Sequence, residues 1–296
     1  EGELKEAIGD WSIWIDGEFG EFTLGKIKSS QRVLDERSFH LGFDKLSGDD
    51  GDLFGFALGL GETKPKDRNN NSNVESRNYS ISTYGKFDNE RNSLQYIFGI
   101  GRIEFDSDRL DSQELLKGER EANQLFGSLA FIRSLNNENN NWQISPYLRM
   151  DGSYTEFDKY SEIGGEAALT FDELTLSNAK ASIGTDISYL FAESKYNAMP
   201  YISLEYGLDY SKTSSQNMYY NLEGPNTNYK LKLDDGMKAH NWEVDLGLML
   251  EISRYLNTNI GCRWEGRSNY LSDFSGIDKN DISTSEVCFF ELIGNF

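Results

Sequence analysis

Stretches in which every second residue is apolar recur along the whole chain, and most of them are long. In "NWQISPYLRMDGSY" (141–154), Trp142, Ile144, Leu148 and Met150 fall on one face, with Gln143, Ser145, Arg149, Asp151 and Ser153 on the other. In "NWEVDLGLMLEIS" (241–253), Trp242, Val244, Leu246, Leu248, Leu250 and Ile252 alternate with Glu243, Asp245, Gly247 and Glu251. "PYISLEYGLDY" (200–210) and "LFGFALGL" (53–60) repeat the pattern. A period of two belongs to β-strands. About twelve segments fit, near 11–25, 36–46, 51–63, 74–88, 93–107, 122–135, 142–157, 178–193, 198–212, 240–253, 257–268 and 285–296. Most exceed the usual strand of about 5–6 residues and match the roughly 9–11 that cross a bilayer obliquely.

The connections alternate as well. "SGDD", "NERN", "NNENNN", "SKYN" and "RYL" are short. Those between them are longer, including "KPKDRNNNSN", "DRLDSQELLKGERE" and the stretch from Lys212 to Ala239. This spacing predicts an all-β, antiparallel up-and-down barrel of about twelve strands, with short periplasmic turns and long extracellular loops.

Composition decides which face meets what. The chain has 296 residues, a net charge of −20 and only 38% apolar residues, with a mean hydropathy of −0.60. Nearly every strand keeps one polar, frequently charged face. A barrel of about twelve strands is too wide for side chains alone to fill, so its interior is polar and hydrated and its apolar faces meet lipid. Closure also pairs every backbone group, as the hydrocarbon layer requires. No apolar run is long enough for a membrane-spanning helix. The acidic balance argues against nucleic acid as a partner. The chain starts on Glu1 without a signal segment, so we expect a mature fragment or an excised domain. A stand-alone porin-like channel and a soluble carbohydrate-binding β-domain are the alternative readings.

The chain ends on "EVCFFELIGNF" (286–296), in which Cys288, Phe290, Leu292, Gly294 and Phe296 share one largely apolar face. A terminal Phe on such a strand resembles the signal read by the outer-membrane β-barrel assembly machinery. The opening "DWSIWIDGEFG" (10–20), the central block "PYLRMDGSYTEFDKYSEIGGEAALTFDELTLSNAKASIGTDISY" (146–189), "AMPYISLEYGLDY" (198–210) and the tail to Phe296 follow in an order that resembles the translocator β-domain of bacterial type V autotransporters. The resemblance covers residues 10–296. It implies a bacterial outer-membrane location, monomeric state, no cofactor, no metal and no enzymatic activity of the barrel itself. It also implies partners in the lipid bilayer, the assembly machinery and the protein's own N-terminal passenger. The family usually carries a helix in the pore before the first strand; here "EGELKEAIG" (1–9) stands as a linker or remnant of it. Some members cleave at an Asn pair in that helix, but no Asn precedes Asn69, so that cleavage is not expected.

Parity places Asp16, Glu18, Arg149, Asp151, Asp186, Glu205, Asp209, Glu243, Asp245, Arg263 and Glu265 on the lumen wall, an acidic lining suited to an extended segment held without side-chain grip. Phe290, Leu292, Gly294 and Phe296 form the expected assembly signal. His40 falls on the lumen side and His240 at a loop edge, and neither accompanies a nucleophile motif. Cys262 and Cys288 come opposite one another if the last hairpin centres near residue 275. Two lipid-facing thiols are expected there, with a cross-strand disulfide as the alternative. Trp11, Trp142, Tyr189, Tyr206, Tyr210, Trp242 and Trp264 are expected in interfacial girdles.

Overall fold

The computed structural model describes residues 11–24, 32–47, 52–66, 72–111, 113–135, 141–192, 197–211, 215–232, 239–253, 256–269 and 282–295. Twelve long antiparallel strands make a closed sheet: β1 (Trp11–Leu24), β2 (Arg32–Ser47), β3 (Asp52–Pro65), β4 (Ser72–Asn89), β5 (Asn92–Asp111), β6 (Glu114–Arg133), β7 (Trp142–Phe157), β8 (Leu174–Tyr189), β9 (Asn197–Ser211), β10 (Ala239–Ser253), β11 (Leu256–Asn269) and β12 (Ile282–Asn295). Each pairs with its neighbours in sequence, and β1 closes on β12 from Ser12 opposite Asn295 to Thr23 opposite Thr284. The ladder therefore has no free edge, and all twelve expected strands are present.

Exposure is inverted relative to a soluble protein. Phe56, Leu58, Ile81, Phe98, Ile100, Leu148, Met150 and Ile183 are exposed, whereas Asp44, Glu205 and Asp245 are buried. Contacts between strands that are not neighbours fix the concave side. Trp14 of β1 donates from Nε1 to the Tyr84 hydroxyl of β4 over two intervening strands, and Arg149 of β7 reaches Glu205 of β9 over β8. Such reach exists only across the inside of a curved wall, so even residues of β1 and odd residues of β7 and β9 point inward. The Trp14 indole lies over Gly42, where a Cβ would stand 2.0 Å from it; Tyr147 covers Gly184 in the same way, at 2.3 Å. Glycine is needed at both places because the neighbouring ring occupies the position of the missing side chain.

Three features depart from the sequence expectation. "DRLDSQELLKGERE" is not a loop: β5 runs on to Asp111 and β6 starts at Glu114, as a hairpin standing beyond the apolar band. Its polar alternation hid a strand that no lipid face had to mark. The long connections 158–173 and 212–238 are also partly ordered. Tyr160–Ser161, Leu169–Phe171, Ser215–Tyr220 and Tyr229–Lys232 form a second, four-stranded sheet on the long-loop side. Finally, Cys262 and Cys288 form a disulfide rather than two thiols. They are direct partners in the ladder, which brings the two sulfurs together.

Candidate functional site: the charged lumen

The inner wall carries a chain of ion pairs that passes from β7 around to β1. At its centre Glu205 accepts from Arg149 Nη2 (2.8 Å), Lys180 Nζ (2.7 Å) and the Tyr147 hydroxyl (3.0 Å), with its side chain only 2% exposed. Arg149 also donates from Nε to Asp151 at 3.1 Å. Next along, Arg263 donates to Asp245 at 3.0 Å and lies 3.3 Å from Glu243, 3.9 Å from Glu18 and 4.0 Å from Glu265. Asp209 pairs with Arg267 at 3.2 Å, and Asp16 with His40 Nδ1 at 3.2 Å. Asp186 accepts from Ser203, its partner in the ladder. These contacts run along the concave side, and Glu18, Arg149, Asp151, Glu205, Glu243, Asp245, Arg263 and Glu265 join one network with Lys180.

The local reason is the ladder itself. Glu205 pairs with Gly184 on one side and with Glu243 on the other, while Arg149 sits one strand further, opposite Ser182. Two acids side by side repel, and the long side chains of Arg149 and Lys180 fold over the small residues between them to neutralise both. Lys180 was missed in the sequence, though its parity with Asp186 would have found it. Trp14, Tyr84 and Tyr147 were missed because only charged residues were assigned to the lumen, although Trp14 shares its parity with Asp16 and Tyr147 with Arg149. The Tyr84 hydroxyl donates to Asp44 at 2.8 Å, which makes these rings part of the polar lining. A cavity of about 590 Å³ remains inside, lined by Trp14, Asp16, His40, Tyr84, Arg149 and Glu291. In the described residues, no group of three or more His, Cys, Asp and Glu is placed to hold a metal.

His40 stands between Asp16 and Gly59 in one ladder row, with Ser80 next beyond. His240 faces outward and bonds the Tyr206 hydroxyl. Of the strand-end residues, Phe290 packs over Gly17 of β1 and stacks near Phe19 at 6.2 Å. Leu292 is exposed, and Gly294 pairs with Ile13. Phe296, like residues 1–9, lies outside the described residues. Aromatic residues gather at both ends of the outward face. Trp11, Trp142 and Tyr189 stand at the short-turn end, and Tyr206, Tyr210 and Trp242 at the other.

At the long-loop mouth, two arginines fasten the small sheet to the β5–β6 hairpin. Arg109 donates from Nε and Nη2 to the two carboxylate oxygens of Glu162, at 3.0 and 2.6 Å, and Glu162 is buried. Arg120 donates to the Asp158 and Asp172 carbonyls and to Gln216, and lies over the Phe157 and Tyr160 rings. The hydrogen bond to Glu162 raises the Arg109 pKa above its ordinary value, whereas burial lowers that of Arg120.

Comparison with known proteins agrees with this architecture. The autotransporter β-domain family model matches residues 20–262. No curated protein matches the chain by sequence. Among solved structures, the translocator domain of the autotransporter NalP from Neisseria meningitidis is similar at TM-score 0.72 and 12% identity, covering 100% of this chain and 94% of that one. The β-domain of the Bordetella autotransporter BrkA is similar at TM-score 0.69 and 11% identity, covering 97% and 100%. The transport unit of the autotransporter AIDA-I from Escherichia coli is similar at TM-score 0.56 and 14% identity, covering 99% and 92%. At these identities the neighbours establish the fold, and the family match supplies the rest. The chain belongs to the autotransporter β-domain family: it is a bacterial outer-membrane barrel that serves secretion of a passenger.

Proposed function

We propose that the charged lumen is the conduit through which the segment upstream of β1 passes, and that the barrel anchors the passenger without chemistry of its own. The observation that carries this reading is where the strands begin and end. Trp11 pairs with Lys45 beside the short connection to β3, so β1 starts at the short-turn, periplasmic end. A chain that leaves β1 there and ends up outside the cell has to run through the barrel. On this reading residues 1–9 are the linker or remnant of a pore helix, and 10–296 are the barrel domain.

The lining suits that task. Most charges of the central network are paired with one another, so a passing segment meets a hydrated wall whose strongest hydrogen bonds are already made. Acids outnumber basic residues among the charged groups of this network. The Asp16–His40 pair is one link of this wall. On the same reading the barrel works as a monomer, and the assembly machinery recognises β12 through Phe290, Leu292, Gly294 and Phe296.

A photo-crosslinking residue tests the conduit. Placed at Tyr201 in the lumen, it should capture the upstream segment during secretion; placed at lipid-facing Ile183, it should not. Equal capture at both places, or capture at Ile183 alone, would refute the lumen route.

A further inference from the structure

The disulfide sits where oxidants cannot easily follow. Cys262 and Cys288 belong to an outward row that continues into Leu246 of β10 and Phe19 of β1, both exposed. Ile260 and Phe290 are their outward neighbours along the strands. Six ladder steps separate the bridge from Leu256 and Gly294 at the short-turn end, which is about 20 Å along the strands at about 3.3 Å per residue. In the inserted barrel, lipid surrounds it and the periplasm lies at the far end of the hairpin.

The same hairpin has a register problem. β12 mixes apolar and charged residues on both faces: Val287, Phe289 and Ile293 stand with Glu291 on the inner face, and Phe290 and Leu292 with Glu286 on the outer face. A strand whose two faces are so alike specifies its pairing weakly, because a one-residue slip exchanges one mixed face for another. A covalent link between Cys262 and Cys288 allows only the pairing in which Arg263 faces Val287 and Glu265 faces Ser285. That register also presents β12 to β1, with Phe290 opposite Gly17.

We propose that Cys262 and Cys288 are oxidised in the periplasm before insertion, by a protein dithiol–disulfide oxidoreductase, and that the bridged hairpin holds β12 in register until the barrel closes on β1. The inference rests on the outer-membrane reading above. In the reaction, one cysteine thiolate attacks the oxidant's disulfide, forms a mixed disulfide and releases one oxidant thiolate. The second cysteine thiolate then attacks the first cysteine's sulfur, and the oxidant leaves as a dithiol carrying the two electrons. Each cysteine loses its proton to solvent or to the departing thiolates. The oxidising periplasm is a compartment where such a bond persists.

The test is a pulse-chase of the whole chain in cells, with acid quenching and a mass-adding maleimide that marks free thiols. Thiol labelling should disappear before the heat-modifiable, folded band appears. Oxidised but unassembled chain should accumulate when the assembly machinery is depleted. A Cys262→Ala, Cys288→Ala variant should reach the folded band several-fold more slowly. Cysteines that stay open to maleimide until the folded band has formed would overturn the proposal, and so would a double variant that assembles at the parent rate. The order of labelling is read on the parent chain, so a variant that fails to fold does not obscure it. A parent chain that never becomes heat-modifiable would bring down the outer-membrane reading and this inference with it.

Discussion

Removing the charge at Glu205 tests the lumen network at its centre. Glu205→Gln keeps the shape and one carbonyl acceptor for Tyr147, but it leaves Arg149 and Lys180 without their nearest carboxylate. Breaking a buried pair from one side costs about 3–5 kcal/mol. Two features reduce that figure here. Arg149 and Lys180 keep 29% and 22% of their side-chain surface open to the hydrated lumen. Arg149 also keeps Asp151, and Glu243 lies 3.9 and 4.0 Å from the two cations. The expected loss is therefore about 2–3 kcal/mol, a factor of roughly 30–150 in the folded-to-unfolded ratio. The assay is urea titration of the heat-modifiable band in lipid vesicles, paired with Arg149→Met and the double variant. The cycle should show a coupling of at least about 1 kcal/mol. A Glu205→Gln barrel within about 0.5 kcal/mol of the parent, the range of an ordinary surface change, would refute the claim that this network stabilises the wall.

Three further outcomes follow from the geometry. Ile183→Arg puts a charge on the lipid face of β8 and should cost up to about 2–4 kcal/mol by the same titration. Gly42→Ala would place a methyl against the Trp14 indole and should lower stability by about 1–3 kcal/mol, with a changed tryptophan emission to show that the ring has moved. Glu162→Gln should loosen the outer sheet from the β5–β6 hairpin, so that external protease cuts between 158 and 173 on intact cells while the barrel stays heat-modifiable.

The sequence made the wall legible because lipid enforces alternation. "NWQISPYLRMDGSY" could be assigned to a face residue by residue, and Trp142, Ile144, Leu148 and Met150 are exposed as that parity requires. Beyond the lipid the rule lapses. "DRLDSQELLKGERE" has no apolar face to keep, so its strands read as a loop, and its partner is the small sheet held by Arg109 and Arg120. Parity placed Glu205 and Arg149 inside but could not pair them, since the contact spans β8 and depends on side-chain reach. The last hairpin shows both limits together. A centre near residue 275 does bring Cys262 opposite Cys288, but spacing carries no information on whether the two are oxidised.

The central claim is that a segment upstream of β1 reaches the cell surface through this barrel. An epitope placed ahead of Glu1, on a chain exported with a cleavable signal peptide, tests it most directly when probed on intact cells by antibody and external protease. With the barrel heat-modifiable in the outer membrane, the account predicts that the epitope is bound and cleaved from outside. An assembled barrel whose epitope stays protected until the outer membrane is opened would contradict it, and would point to a stand-alone channel instead.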